Sequence, residues 1–402
     1  MAYKFKLKLN AKQKAFVSNY GGSTRFLWNK ALALNLSRLK EKQHILYYQE
    51  LDFFSKLWKK SDEYGFLKEC PSQAIQQKLK DLEKAFKDCF DKKQPNKRLP
   101  RFKKKGQGDS FRYPQGFKVS GNQVFLPKLG WFRFRKSREI KGVIKNITVS
   151  GKEDNWYISI QVEQELEPPI HPSTSIVGVD MGVSRFATLS TGEYIEPVNS
   201  YKDNLNKLAI VQRSIAKKKK FSNNWKKART KLQKLHSKIA NTRRDFLHKS
   251  STTISKNHAM IVLEDLKVSS MSKSAKGTID EPGKNVKAKS GLNRSILDQS
   301  WHEFKRQLIY KQEWQGGDVL VVPPHNTSIT CPKCNHKDKE NRLSQSNFEC
   351  KSCGYINNAD VVGAINVLRV GHTRLACGDK LLDVVYIGDI SLQAQESPIV
   401  AA

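Results

Sequence analysis

The 402-residue sequence contains no uninterrupted apolar run of about 18 residues, the length a membrane-crossing helix needs, so neither a span nor a membrane partner is expected. Its first residues, Met1-Ala2-Tyr3-Lys4-Phe5-Lys6, alternate charge with apolar side chains. A signal peptide would be continuously apolar there, and this points to the cytoplasm. Acid is scarce: 38 Asp and Glu stand against 72 Lys and Arg, a formal charge of +34. Such an excess draws polyanions, whose phosphates relieve its self-repulsion. Charge alone leaves open an RNA-binding scaffold or an enzyme acting on nucleic acid. The length and 38% apolar content allow two or three domains with cores of their own.

Cysteine is sparse too. Cys70, Cys89 and Cys377 are scattered, and Cys89 falls on an apolar stripe that suits a buried, inert thiol. The other four, Cys331, Cys334, Cys350 and Cys353, form C-x2-C-x15-C-x2-C. In a reducing compartment that spacing fits a zinc site and not a disulfide framework. Two Cys-x-x-Cys knuckles give tetrahedral thiolate ligation, and four sulfurs leave no place for an activated water. A structural Zn²⁺ is expected. A zinc-ribbon transcription factor would explain these cysteines but leave most of the chain idle.

Along the chain, residues 3–9 alternate like a half-buried strand, and Asn10 starts a helix that Gly21-Gly22 is expected to end. Further helices are expected at 26–39 and 51–58. After Cys70-Pro71, the residues Ile75, Leu79, Leu82, Phe86 and Cys89 form one apolar stripe, opposite a face carrying Gln73, Gln76, Gln77, Lys80, Lys84 and Lys87. That face is either solvated or laid along DNA. Residues 97–105, rich in Lys, Arg and Pro, read as an extended phosphate-contacting loop. Six short strand-like runs follow, at 111–113, 117–119, 124–126, 131–134, 143–149 and 156–162, and 165–169 looks like a linker.

Beyond the linker, 175–180 is a buried-strand pattern that ends on Asp180, 186–189 is a second strand and 194–195 starts a third. Two basic helical stretches around Lys217-Lys218-Lys219-Lys220 suggest a helical hairpin with a basic tip. Residues 260–264 form another strand, ending on Glu264. The stretch 267–291, without periodicity, reads as a mobile loop. One helix is expected through Leu297, Trp301, Phe304 and Leu308, then a strand at 319–322, the cysteine segment, a helix at 359–368 and a tail. Asp180 and Glu264 at strand ends, with Asp360 seven residues after Cys353, could together hold two Mg²⁺ ions for phosphodiester cleavage. Each acid alone could equally be a turn or helix cap.

Several stretches carry a resemblance: Tyr3-Lys4-Phe5-Lys6-Leu7 with Arg25-Phe26-Leu27-Trp28-Asn29, Leu99-Pro100-Arg101-Phe102-Lys103, Leu126-Pro127-Lys128-Leu129-Gly130, and Asn241-Thr242-Arg243-Arg244-Asp245-Phe246-Leu247-His248-Lys249. With Gly178-Val179-Asp180-Met181-Gly182, Leu263-Glu264-Asp265-Leu266 and Asn358-Ala359-Asp360, they make nearly the whole chain similar to TnpB (OrfB). These are transposon-encoded RNA-guided DNA endonucleases related to type V CRISPR nucleases. Ala359 and Val362 stand where many members have Arg and Asn, although Gly363, Ala364 and Asn366 complete another variant of the motif. Asn335 stands where the first knuckle often has Gly.

The resemblance implies an α/β multidomain fold. Residues 1–165 would be a recognition region, a β-barrel-like (WED) part with a helical insertion (REC) at about 11–92. Residues 174–380 would be a RuvC-like nuclease of RNase H fold, with a helical hairpin at about 200–250 and an inserted zinc ribbon at about 328–356; 381–402 would be a tail. It implies catalysis by Asp180, Glu264 and Asp360 with two Mg²⁺, and a monomer that binds guide RNA and cuts double-stranded target DNA beside a short motif in the nucleoid. Gln76 and Gln77 are candidates for reading that motif, since Gln bonds adenine bidentately in the major groove. Arg98, Arg101, Lys103, Lys104, Lys218, Lys219 and Arg243 are candidate nucleic-acid contacts. The rival is a nuclease-inactive, RNA-guided repressor, disfavoured because all three acids are present. The ribbon, lying between Glu264 and Asp360, is expected to act as a staple that fixes where Asp360 enters the site.

Overall fold

The computed structural model describes residues 1–376 apart from 153, 154, 166 and 168. The expected tail, and Cys377, lie outside the described residues. The chain divides into two compact units, Met1–Leu166 and Glu167–Ala402.

In the first unit, β1 (Ala2–Lys8) is followed by α1 (Ala11–Lys40), α2 (Tyr48–Lys60) and α3 (Ser72–Phe90). Then come β2 (Gln107–Tyr113), β3 (Lys118–Ser120), β4 (Gln123–Leu126), β5 (Gly130–Phe134), β6 (Val143–Lys152) and β7 (Asn155–Glu163). The strands form one antiparallel sheet in the order β2-β6-β7-β1-β5-β4-β3. β1 turns between two partners, with Ala2 to Lys6 on β7 and Leu7 and Lys8 on β5. The three helices are thus an insertion between β1 and β2. Their stripes (Leu27 and Leu32; Ile75, Leu79, Leu82 and Phe86) share one core with Phe111, Tyr113, Ile158 and Ile160. Each such side chain contributes roughly 1.5–3 kcal/mol by leaving water.

Asn10 caps α1 as expected, its side chain accepting from the Gln13 N–H at 2.8 Å while Gln13 Oε1 accepts from the Asn10 N–H at 3.2 Å. Gly21-Gly22 does not end the helix, and the two expected helices are one. Gly21 serves a close approach instead: a Cβ there would stand 2.9 Å from the Trp156 ring and 3.0 Å from Asp109 Cβ. Cys89 is half-buried and not fully enclosed.

The second unit opens with β8 (Ile176–Asp180), β9 (Ala187–Leu189) and β10 (Tyr194–Ile195), then the hairpin of α4 (Leu205–Ala216) and α5 (Asn223–Asn257). β11 (Met260–Glu264), α6 (Val268–Met271), α7 (Val286–Gln299), α8 (Trp301–Gln315) and β12 (Asp318–Val322) follow. Last are the short hairpin of β13 (Asn347–Glu349) and β14 (Ile356–Asn358), and α9 (Ala359–Ala376). The sheet is mixed, in the order β10-β9-β8-β11-β12, with β8, β11 and β12 parallel and the rest antiparallel. Both faces are covered, which accounts for the unbroken apolar runs of β8 and β11. Ile261 and Leu263 join Leu247, Phe304 and Leu308 of α5 and α8, while Val262 joins Val367 and Leu368 of α9.

Two expectations fail here. The stretch 267–291 is not wholly loop, since it holds α6 and the start of α7. The single helix through Leu297 to Leu308 is broken at Ser300, whose φ is +56°. Arg243 of α5 fastens the break by donating to Ser300 Oγ at 2.9 Å and to the Leu297 carbonyl at 3.3 Å. Asp298 accepts from the Tyr201 N–H at 2.9 Å and lies 3.6 Å from Arg243. Left half-exposed by the break, Leu297 is not part of the stripe.

Candidate metal centres

Asp180 and Glu264 end neighbouring parallel strands whose register pairs Leu263 with Val179, so the two acids stand side by side at one edge of the sheet. α9 brings Asp360 in its first turn and crosses β8 through glycines. A Cβ on Gly178 would lie 2.2 Å from the Ala364 carbonyl oxygen, and one on Gly363 would lie 3.0 Å from Asp180 Oδ2. Burial, then the charges of Glu264 and Asp360, push the Asp180 carboxyl up to about 7, against the pull of Arg342 and the Met181 N–H. Burial also raises Glu264, against a hydrogen bond from Thr327.

Three carboxylates that repel one another in a partly desolvated corner are a donor set for hard divalent cations. Their oxygens do not all come within 4.8 Å; among the described residues only the four cysteines meet that distance.

The cysteine cluster is built from two like knuckles. The Asn335 N–H donates to the Cys331 carbonyl at 3.0 Å, and the Gly354 N–H to the Cys350 carbonyl at 3.0 Å. Asn335 and Gly354 share a left-handed backbone, φ +63° and +65°. Asn is among the few side chains that tolerate it, so the departure from Gly in the first knuckle preserves the geometry. The Sγ atoms of Cys331 and Cys353 are 3.7 Å apart, and those of Cys334 and Cys350 are 3.5 Å apart. Tetrahedral ligands at about 2.3 Å from an ion stand about 3.8 Å from one another, so the sulfurs fit zinc without rearrangement. Desolvation opposes ionisation of Cys350, yet the N–H groups of Cys353 and Ser352 prevail and draw it down to about 6.

Four residues that sequence reasoning gave no role join the two centres. Thr327 donates to Glu264 Oε1 at 2.7 Å. Asn366 of α9 donates to the carbonyls of Thr327 and Thr330, both at 2.7 Å. Arg369 donates to the Pro332 carbonyl at 3.2 Å and to Asn335 Oδ1. Arg342, from the spacer between the knuckles, stands 3.8 Å from Asp360. Asn366 lies in a motif the sequence displays; the others sit in loops or on a helix face with no distinguishing pattern.

Of the candidate nucleic-acid contacts, Arg98, Arg101, Lys104 and Lys219 are exposed, and Gln76 and Gln77 are half-buried on α3. Lys103 lies 3.8 Å over the Trp28 ring, and burial, then Lys78, lowers it to about 7. Lys218 donates to Ser214 Oγ at 2.7 Å, and Arg243 serves the α7–α8 break. No helix among the described residues is long and apolar enough to cross a membrane.

Comparison with known proteins agrees with this architecture. The family described as "Probable transposase" matches residues 159–275, "Cas12f1-like, TNB domain" matches 301–367, and "Helix-turn-helix domain" matches 1–44, which here hold β1 and the single long helix α1. Among solved structures, the "Cryo-EM structure of the Cas12f1-sgRNA-target DNA complex" contains a chain of similar fold. The TM-score is 0.54 and identity 14%, over 90% of this chain and 83% of that one. The fold is thus Cas12f-like, with an antiparallel sheet, a mixed sheet and a four-cysteine cluster. "Putative RNA-guided DNA endonuclease InsQ" of Escherichia coli (strain K12) is 54% identical over 94% of both chains. "Putative RNA-guided DNA endonuclease" of Streptomyces pristinaespiralis is 31% identical over 94% of this chain and 91% of its own. The chain belongs to the TnpB (OrfB) family.

Proposed function

We propose that this chain is the RNA-guided, metal-dependent DNA endonuclease of a transposable element. It binds a guide RNA and cuts matching double-stranded DNA next to a short flanking motif. The observation that carries this reading is that Asp180 and Glu264 end neighbouring strands of a mixed sheet, with Asp360 of α9 near enough for its charge to act on Asp180, in a chain more than half identical to InsQ.

Asp180, Glu264 and Asp360 would hold divalent cations, Mg²⁺ by their oxygen-only donor set, and bound cations supply Lewis acidity to the attacking water and the leaving 3′ oxygen. Glu264 is fixed in rotation by Thr327. Arg342 adds positive charge beside Asp360, where an anionic phosphodiester must otherwise approach three carboxylates. Cys331, Cys334, Cys350 and Cys353 hold a structural Zn²⁺. Through Asn366 and Arg369, the ribbon sets the position of the helix that carries Asp360.

We assign 1–165 to recognition, the sheet as the WED part with α1 to α3 as its REC insertion, and 174–380 to a RuvC-like nuclease of RNase H type. Arg98, Arg101, Lys104 and Lys219 suit phosphates, and Gln76 and Gln77 the flanking motif. Lys103, Lys218 and Arg243 already have partners within the chain and would position these elements. The working form is a monomer in the cytoplasm, at the nucleoid when on DNA.

The test is to purify the protein with co-expressed RNA and offer plasmids bearing a guide-matched target with randomised flanks, with Mg²⁺ or with EDTA. Mg²⁺-dependent cleavage that disappears in Asp180→Ala is expected. Binding without cleavage would sink the nuclease reading, and cleavage surviving that substitution would sink the triad.

A further inference from the structure

The tip of the α4–α5 hairpin holds two aromatic rings in a stretch of one charge. Residues 204–244 contain 14 Lys and Arg and no acid. Lys217-Lys218-Lys219-Lys220 runs directly into Phe221, which is 65% exposed with φ +70°. A bulky side chain is disfavoured in that backbone region, and an apolar ring is disfavoured in water.

The turn is nonetheless built to hold the ring there. The Ser222 N–H donates to the Lys219 carbonyl at 3.1 Å, and Ser222 Oγ accepts from the Trp225 N–H at 3.2 Å. The Phe221 and Trp225 rings meet edge to face, with centroids 5.5 Å apart. Lys220 lies 5.4 Å from the Phe221 ring, and Arg229 lies 5.4 Å from the Trp225 ring. Among the described residues, neither ring joins a hydrophobic core.

Cations alone would serve any phosphate backbone. An exposed ring with a half-buried one beside it, kept among them, calls for a polyanion that also offers a flat apolar face, and an unpaired nucleobase is such a group. In a duplex the faces are stacked away, whereas single-stranded RNA loops splay their bases onto aromatic side chains. Resting on the reading of the chain as an RNA-guided nuclease, we infer that Phe221 and Trp225 form a stacking platform for an unpaired RNA base, with Lys219, Lys220 and Arg229 on the flanking phosphates.

The test uses the full-length protein and a U-rich single-stranded RNA of about 12 nucleotides carrying 4-thiouridine, a site size usual for such grooves. The DNA of the same sequence and a blunt RNA duplex are the comparison probes. Photocrosslinks should map by mass spectrometry to the peptide holding Phe221 and Trp225. Phe221→Ala should weaken single-stranded RNA binding about tenfold, the value of one base–aromatic stack, leaving duplex binding and the salt slope unchanged. Lys219→Gln with Lys220→Gln should flatten the salt slope. Phe221→Gly, which suits the left-handed turn, should lose the same affinity with no fall in Tm, which excludes misfolding as the cause. RNA binding without crosslinks at the tip, or with Phe221→Ala equal to wild type, overturns the platform and leaves the nuclease reading intact. Equal loss on the duplex, or preference for the DNA strand, overturns the assignment to unpaired RNA. A wild-type protein that binds no RNA overturns both readings together.

Discussion

Thr327 donates its hydroxyl to Glu264 Oε1 at 2.7 Å, while its own carbonyl accepts from Asn366 Nδ2 at 2.7 Å. One threonine thereby ties the acid that ends β11 to the helix that carries Asp360. The bond favours ionised Glu264 against the burial that raises it. Thr327→Val therefore leaves Glu264 holding its proton to higher pH. The acid limb of the pH–rate profile for plasmid cleavage should move upward, and the plateau should fall about 10- to 100-fold, as for other partners of metal-binding carboxylates. An unmoved limb would show that the bond does not set the ionisation of Glu264.

Asp180 predicts a stability effect without metal. Its folded-state carboxyl is raised to about 7, above the ordinary 3.8, so between those values the folded chain binds more protons than the unfolded one. Stability contributed by this group is then full at low pH and lost as pH rises toward 7. In EDTA, the difference in unfolding free energy between Asp180→Asn and wild type should be near zero at pH 4 and favour the variant above pH 7, by at most ~4 kcal/mol for a rise of the carboxyl from 3.8 to about 7, and Tm should follow in the same direction. Melting scans across that range measure it. Wild type gaining stability relative to the variant as pH rises would contradict the sign. Cleavage by Asp180→Asn should be lost with Mg²⁺ present.

Much of this was legible in the sequence because periodicity and spacing are local. The stripe from Ile75 to Phe86, the Asn10 cap, the apolar runs ending at Asp180 and Glu264, and the paired knuckles each announce themselves within a few turns of chain. What escaped depends on partners distant in sequence. Gly21-Gly22 looks like a helix stop until Trp156 and Asp109 are seen against it. The break at Ser300 is fastened by Arg243, 57 residues earlier. Arg342 carries no local signal, and only the folded ribbon brings it within 3.8 Å of Asp360.

Gly178 and Gly363 should separate packing from chemistry. Gly178→Ala drives a methyl into backbone, 2.2 Å from the Ala364 carbonyl oxygen, so α9 must move off the sheet. A cost of about 1–3 kcal/mol in chemical denaturation is expected, with activity falling alongside. In Gly363→Ala the close atom is Asp180 Oδ2 at 3.0 Å, a side-chain oxygen that can turn aside. That variant should keep most of its stability while losing cleavage at least tenfold, because the carboxylate is displaced from its productive geometry. Equal damage to stability by both substitutions would mean that the glycines serve packing alone.

Asn335 tests whether the ribbon positions α9 or merely folds beside it. Its left-handed backbone, φ +63°, makes Gly an acceptable replacement and Val a strained one costing about 1–2 kcal/mol. Its side chain also accepts from Arg369, which α9 sends to the first knuckle. Asn335→Gly should keep one zinc per chain by atomic absorption and resist a chelator nearly as wild type does, but cut DNA more slowly because a link to α9 is gone. Asn335→Val should lose zinc to the chelator about tenfold more readily, as strain in the knuckle is strain in the metal-bound state. Cys350→Ser, lacking a ligand, should bind no zinc stably and lose cleavage with the ribbon's fold. If Asn335→Gly cut DNA at the wild-type rate, the Arg369 contact would have no part in placing Asp360, and the ribbon's hold on the nuclease centre would rest on Asn366 and Thr327.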